Sequence, residues 1–261
     1  MKGIVIACPQ RYETICLNNI TALRENHNCQ LPIEIWEIGQ EITPSVKNLM
    51  KTKNVIFKNV CDYCENPEHW KGYQVKVFAL YHSEFSEPIL CDADVTFFIN
   101  PEIIFHDENY QRTGSYFFKD MDNWQFYNLS YANTEKFRSL TFFNERKNFI
   151  KKLIPKKTNI FPKEWSYIYD EYIPISPVKE ALQEAGVVYI NKNIHQKSLD
   201  YIFQLNDNHK DTYNYVLGDK ETFWIGCVMA NKEYYFNDNA GFFYNGCLSH
   251  TYKGYLFWKQ K

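Results

Sequence analysis

The sequence predicts an α/β protein whose mostly parallel sheet is flanked by helices. Two observations lead there. Short apolar runs recur through positions 1–100, and stretches of helical periodicity separate them. Strand and helix in strict alternation is the pattern of parallel strands joined by crossover helices.

In chain order, Gly3–Cys8 reads as a buried first strand, followed by a helix over Tyr12–Arg24. Ile33–Ile38 is a second strand, Ser45–Lys51 a helix and Asn54–Val60 a third strand. Tyr73–Phe85 has apolar residues on recurring turns, and Glu87–Asp92 is the next strand. Thr113–Phe118 reads as a strand, and Asn133–Pro162 as a Lys-rich amphipathic insertion. Ala185–Asn191 is a strand, with helices expected from Gln196 and over Glu221–Ala230. Cys247–Trp258 is strand-like with a turn at Lys253-Gly254. One domain of residues 1–261 is expected, with the strand–helix alternation regular over 1–100 and looser over 101–261.

Composition removes several function classes. Lys and Arg total 29 against 31 Asp and Glu, with no long basic run, which argues against a nucleic-acid groove. No stretch approaches the ~18 uninterrupted apolar residues of a membrane span. Aromatic residues make up 18% of the chain. That surplus suits stacking on sugars or nucleobases, and equally suits a bias toward A/T-rich codons. Neither a glycine-rich dinucleotide fingerprint nor a Walker loop is present. Of the 8 cysteines, Cys61 and Cys64 form a C-x-x-C without a second one downstream. A zinc site would need Cys29 and His69 to complete it; reduced thiols are the expectation.

The chemistry concentrates at Asp92-Ala93-Asp94, which ends the run Ile89–Cys91. In a strand, residues i and i+2 point the same way, so the two carboxylates are expected to converge at the strand's carboxyl end. Two carboxylates that close suit a hard ion, Mn²⁺ or Mg²⁺, completed by substrate phosphates. Alone, Asp-x-Asp fits a solvated turn equally well.

The surrounding blocks are more specific. Gly72-Tyr73-Gln74-Val75-Lys76 precedes the aspartates, and Phe97-Phe98-Ile99-Asn100-Pro101 follows them. Then come Thr113–Asp120, Glu184-Ala185-Gly186 with Ile190–His195, Gly218-Asp219-Lys220-Glu221, and Leu248–Gly254. In this order they resemble the α-mannosyltransferase family of fungal mannan synthesis, glycosyltransferase family 71, and more distantly the glycogenin type. The chain departs from the family pattern at Val95, at Val187, and at Phe257-Trp258, where the family's histidine is missing.

The resemblance implies a single GT-A type domain with a Rossmann-like mixed sheet, residues 1–100 forming a nucleotide-binding half and 101–261 an acceptor and sugar half, and a metal-dependent retaining transferase. It favours GDP-mannose over a UDP-sugar as donor and a glycan or glycoprotein as acceptor. Asp92 and Asp94 would hold the ion, with His250 as third ligand. Asp219 is the first candidate for a catalytic carboxylate and Glu184 the second; Asp219 also fits a helix N-cap. Lys76, matched together with Gln74, would face the donor, as would Lys220 and Lys253; Asp120 would position its sugar. Tyr12 either stacks on the nucleobase or packs on the core. The alternatives are a glycogenin-like UDP-sugar transferase, a non-catalytic nucleotide-sugar binder, and a thiol–zinc interaction module on Cys61 and Cys64. The chain opens directly on its first strand, whereas fungal members carry an anchor and a lumenal stem, so a cytoplasmic setting and a viral or microbial origin are expected.

Overall fold

The computed structural model describes residues 1–121, 140–169 and 182–260. Seven strands form the main sheet in the order β3-β2-β1-β4-β7-β6-β8. They are β1 (Lys2–Ala7), β2 (Ile33–Glu37), β3 (Val55–Asn59), β4 (Glu87–Asp92), β6 (Ser115–Lys119), β7 (Gln183–Ile190) and β8 (Phe236–Ala240). The first four run parallel. β7 is reversed against both β4 and β6, and β8 runs parallel to β6. One edge of the sheet therefore gathers the carboxyl ends of β1, β2, β4 and β6 and the amino end of β7.

The central strands β1, β2, β4 and β7 are buried and largely apolar because both their faces are covered. Alternate residues feed two separate layers. Ile4, Ile6, Ile89, Cys91, Val187 and Tyr189 enter one, with α1 (Glu13–Glu25) against it. Val5, Leu90 and Val188 enter the other, with α3 (Gln74–His82), α6 (Lys192–Asp207) and α8 (Thr222–Met229). Asn191 starts α6 by accepting the Asn193 N–H at 3.0 Å, the usual N-cap device. Gly226 lets α8 approach α6, since a Cβ there would lie 2.9 Å from the Ser198 carbonyl oxygen.

A second sheet, in the order β5-β11-β10-β9, consists of β5 (Val95–Phe97), β9 (Phe242–Tyr244), β10 (Cys247–Tyr252) and β11 (Tyr255–Gln260). β10 and β11 form the hairpin expected from Lys253-Gly254, both of whose residues have positive φ (49° and 85°). The remaining helices are α2 (Pro44–Lys51), α4 (Glu108–Thr113), α5 (Leu140–Leu153) and α7 (His209–Thr212).

Three expectations are corrected. Thr113 ends α4 rather than opening a strand, because Gly114 adopts φ +75° as the helix C-cap. Strands β5, β8 and β9 were not foreseen, being short or partly polar. The aspartates do not share a strand face: β4 stops at Asp92, and Ala93-Asp94 form the turn into β5. Of the expected insertion, residues 133–139 lie outside the described residues, and α5 occupies most of the rest.

Candidate active site

A cleft of about 720 Å³ opens at the carboxyl edge of the main sheet. Its walls are the β1–α1 connection, the end of β2, the loop Lys71–Tyr73 and the turn Asp92–Asp94. It lies where connections depart in opposite directions from the sheet's middle, the usual ligand position in open α/β folds. Tyr12 lines this cleft and also packs against the apolar layer beneath. The Arg11 guanidinium sits 4.9 Å from its ring centroid.

Lys76, in the first turn of α3, ties the floor together. Its ammonium lies 2.9 Å from Asp92 Oδ1 and 3.0 Å from Asp219 Oδ2, and donates to the Ala185 carbonyl at 3.3 Å. Burial pulls its pKa down, but Asp219 and Asp92 outweigh that and hold it well above the ordinary value. The other oxygen of Asp92, Oδ2, accepts from Gln260 Nε2 at 2.9 Å. Asp94 is pushed up to about 6 by burial and by the Asp92 charge. Asp219 is also raised to about 6, again mainly by burial, with Lys76 opposing. Its carboxylate pairs with Lys76, while α8 starts after Glu221 without a side-chain cap, so Asp219 is not that helix's N-cap.

A second lysine repeats the pattern one strand along. Lys220 Nζ reaches Asp120 Oδ2 at 2.9 Å and Glu184 Oε2 at 2.6 Å. The other Glu184 oxygen accepts the Gly186 N–H at 2.9 Å, which fixes the carboxylate over the amino end of β7. Behind it, buried Glu221 accepts from the Leu182 and Gln183 backbone N–H groups and from the Trp224 indole. Burial raises Glu221 to about 7. The first α8 helix turn thus locks the strand that carries Glu184. Asp92, Lys76, Asp219, Asp120, Lys220 and Glu184 stand together along one edge.

Other candidates lie elsewhere. Gln74 is buried and spends its amide on the His69 and Lys71 carbonyls, so it braces the loop beside the cleft rather than lining it. Lys253 sits at the tip of the β10–β11 hairpin with its ammonium 5.2 Å from the Tyr252 ring centroid, away from the cleft. His250 is fully buried in β10, stacked on Trp258 at 4.2 Å. Cys29 is buried, Cys61 is exposed, and His69 bonds Asp207. Among the described residues, no three His, Cys, Asp or Glu side chains converge as a metal site, so neither the zinc module nor an Asp92–Asp94–His250 triad is assembled. The oxygens at the cleft floor nonetheless fit a hard divalent ion. The Asp92 charge is close enough to raise Asp94, and a cation would relieve that repulsion. Gln260 was missed in the sequence; its only signal was lying two residues past Trp258 on the same strand face.

Among the described residues, no helix is long and apolar enough to cross a membrane. The family model described as "Mannosyltransferase putative" matches residues 1–246. The chain is 29% identical to "Putative alpha-1,3-mannosyltransferase MNN15" of Candida albicans, over 92% of this chain and 35% of that protein. It is 25% identical to "Alpha-1,3-mannosyltransferase MNT3" of Saccharomyces cerevisiae, over 92% of this chain and 39% of that one. It thus spans little more than a third of the length of these relatives. Among solved structures, core-mannan synthase A of Aspergillus fumigatus in its Mn/GDP form superimposes with a TM-score of 0.57 at 11% identity. That match covers 98% of this chain and 75% of the other, and supports the GT-A fold. The ordered sequence blocks, the fold and the family match agree: this chain belongs to the mannosyltransferase family.

Proposed function

We propose that the chain catalyses metal-dependent, retaining transfer of mannose from GDP-mannose to a glycan or glycoconjugate acceptor. The observation that carries this is the ion-paired line Asp92–Lys76–Asp219, in which Asp92 and Lys76 line a cleft large enough for a nucleotide and Asp219 is buried behind them. Family membership and the GDP named for the core-mannan synthase A structure support the choice of donor.

Each residue has a task that its position permits. Tyr12 offers a ring face to the nucleobase at the cleft's far wall. Asp92 and Asp94 would hold Mn²⁺ or Mg²⁺, which when bound neutralises the leaving diphosphate as a Lewis acid. Lys76 keeps Asp219 ionised inside a buried setting and brings a second positive charge beside the diphosphate. Asp219, buried and next to Lys76, is the carboxylate best placed to stabilise positive charge on the sugar or to attack its anomeric carbon. The alternative retaining route is same-face attack, with the leaving diphosphate accepting the proton of the acceptor hydroxyl. Asp120 and Glu184, held by Lys220, offer charged acceptors to sugar hydroxyls.

The test is a donor panel. The protein is incubated with Mn²⁺ and each common nucleotide sugar, and nucleotide release is measured with and without mannoside acceptors. GDP-mannose turnover that EDTA abolishes, with an α-linked product by NMR, is the expected result. Preference for a UDP-sugar would replace mannose with the glycogenin-like reading. No turnover or binding of any donor would sink the enzyme assignment.

A further inference from the structure

We infer that the amide of Gln260, rather than the imidazole of His250, completes the divalent-ion site of Asp92 and Asp94 and makes its protein donors all oxygen. This rests on the metal-dependent reading proposed above. Gln260 is already on the motif: its Nε2 donates to Asp92 Oδ2 at 2.9 Å. It lines the same cleft as both aspartates. The placement is built into the backbone, because β11 pairs antiparallel with β5, putting Gln260 opposite Val95, the residue after Asp94.

The sequence clears a space for that side chain. A Cβ on Gly186 would collide with Gln260 Oε1 and would lie 3.2 Å from the Trp258 ring. Glycine at this point of β7 is what lets the glutamine lie across the strand and reach Asp92. The planar amide can exchange its oxygen and nitrogen by a half-turn about its last bond, with almost no change of shape. Without a cation, the N–H₂ faces the carboxylates; with one, the oxygen does.

His250 is on the wrong side of a wall. Trp258 stacks on its ring at 4.2 Å with an interplanar angle of 20°, and the far end of the same indole approaches Gly186. The tryptophan therefore stands between the imidazole and the place where Gln260 meets Asp92. Phe118 covers a second side at 5.3 Å, and Gly241 lies 3.0 Å, measured from a built Cβ, from Nε2.

An all-oxygen set and a set with one imidazole differ in metal preference: oxygen ligands suit Mg²⁺ and Mn²⁺, and imidazole strengthens binding of Co²⁺, Ni²⁺ and Zn²⁺. The experiment is Mn²⁺ titration of the full chain, with and without GDP, read from the EPR signal of the free ion. Gln260→Met should weaken Mn²⁺ binding about tenfold or more. Gln260→Glu should retain or tighten it, which separates ligand loss from misfolding. Gln260→His should shift preference toward Co²⁺ and Zn²⁺. Unchanged binding by Gln260→Met, or loss confined to His250→Phe, overturns the assignment and leaves the proposed function standing. Absence of Mn²⁺ binding by the unaltered protein, with GDP present, overturns both.

Discussion

Lys76→Met removes the cation between Asp92 and Asp219 while keeping an apolar stem of similar length. Orphaning a buried charge costs about 3–5 kcal/mol if the charge persists. Asp219 has another outlet, because it titrates near 6 even with the ammonium 3.0 Å away. Without Lys76 it takes up a proton instead. At pH 8, two units above its value of about 6, that neutralisation costs about 3 kcal/mol at about 1.36 kcal/mol per unit. At pH 5 the carboxyl is protonated in both proteins, and this part of the deficit vanishes. The sign follows from linkage. The folded value lies above the unfolded one, so the folded state keeps a proton that the unfolded chain has lost, and stability falls as pH rises through the window. The variant extends that window upward from about 6. Urea denaturation at pH 5 and pH 8 measures it: a deficit of about 3 kcal/mol at pH 8 should shrink strongly at pH 5. An equal deficit at both pH values, or a larger one at pH 5, refutes the reasoning.

Asp94→Asn should abolish Mn²⁺-dependent nucleotide release yet raise the melting temperature, about twice as much at pH 8 as at pH 5, since it removes a carboxyl that burial and Asp92 raise from about 3.8 to about 6; calorimetry at the two pH values checks this. Glu221→Ala leaves two backbone N–H groups and an indole without their acceptor, and should cost about 3 kcal/mol or more in urea midpoint analysis. Gly186→Ala should displace Gln260 from Asp92 and weaken Mn²⁺ binding in the EPR titration, with a stability loss of about 1–3 kcal/mol from overpacking. Tyr12→Ala should raise the donor KM about tenfold, the equivalent of about 1.4 kcal/mol of lost ring contact, while Tyr12→Phe leaves it near the wild-type value.

Where periodicity was strong, the fold was legible. The expected bounds of β1, β2 and β4 are near-correct because central strands covered on both faces are rich in apolar residues, interrupted in β2 only by the buried Glu34 and terminal Glu37. The reversed β7 was found as a strand, but its direction depends on a long connection that leaves no local pattern. β5 and β9, at three residues each, are too short to show any period. In the site, blocks of adjacent residues marked Lys76, Asp92, Asp94, Glu184 and Asp219. What those blocks conceal is pairing. That one lysine clamps Asp92 to Asp219, and another Asp120 to Glu184, follows only from which strands end side by side. Gln74 shows the reverse limit. It sits inside a matching motif, but the positive φ of Gly72 (128°) folds the preceding loop back so that its carbonyls take the amide.

The bond between Asp92 and Gln260 joins positions 168 residues apart. A contact of that separation forms late in folding, because the chain between must first be ordered before so large a loop is worth closing. Strands β1 to β4 pair without any such long-range contact, so a chain folded only that far would have the β1 and β2 walls of the cleft formed and β5 still lacking its neighbour. In that state the two aspartates would sit on an untethered turn. On the proposed site, competence to hold an ion would therefore report docking of β11, and recover in a kinetic phase later than most secondary structure.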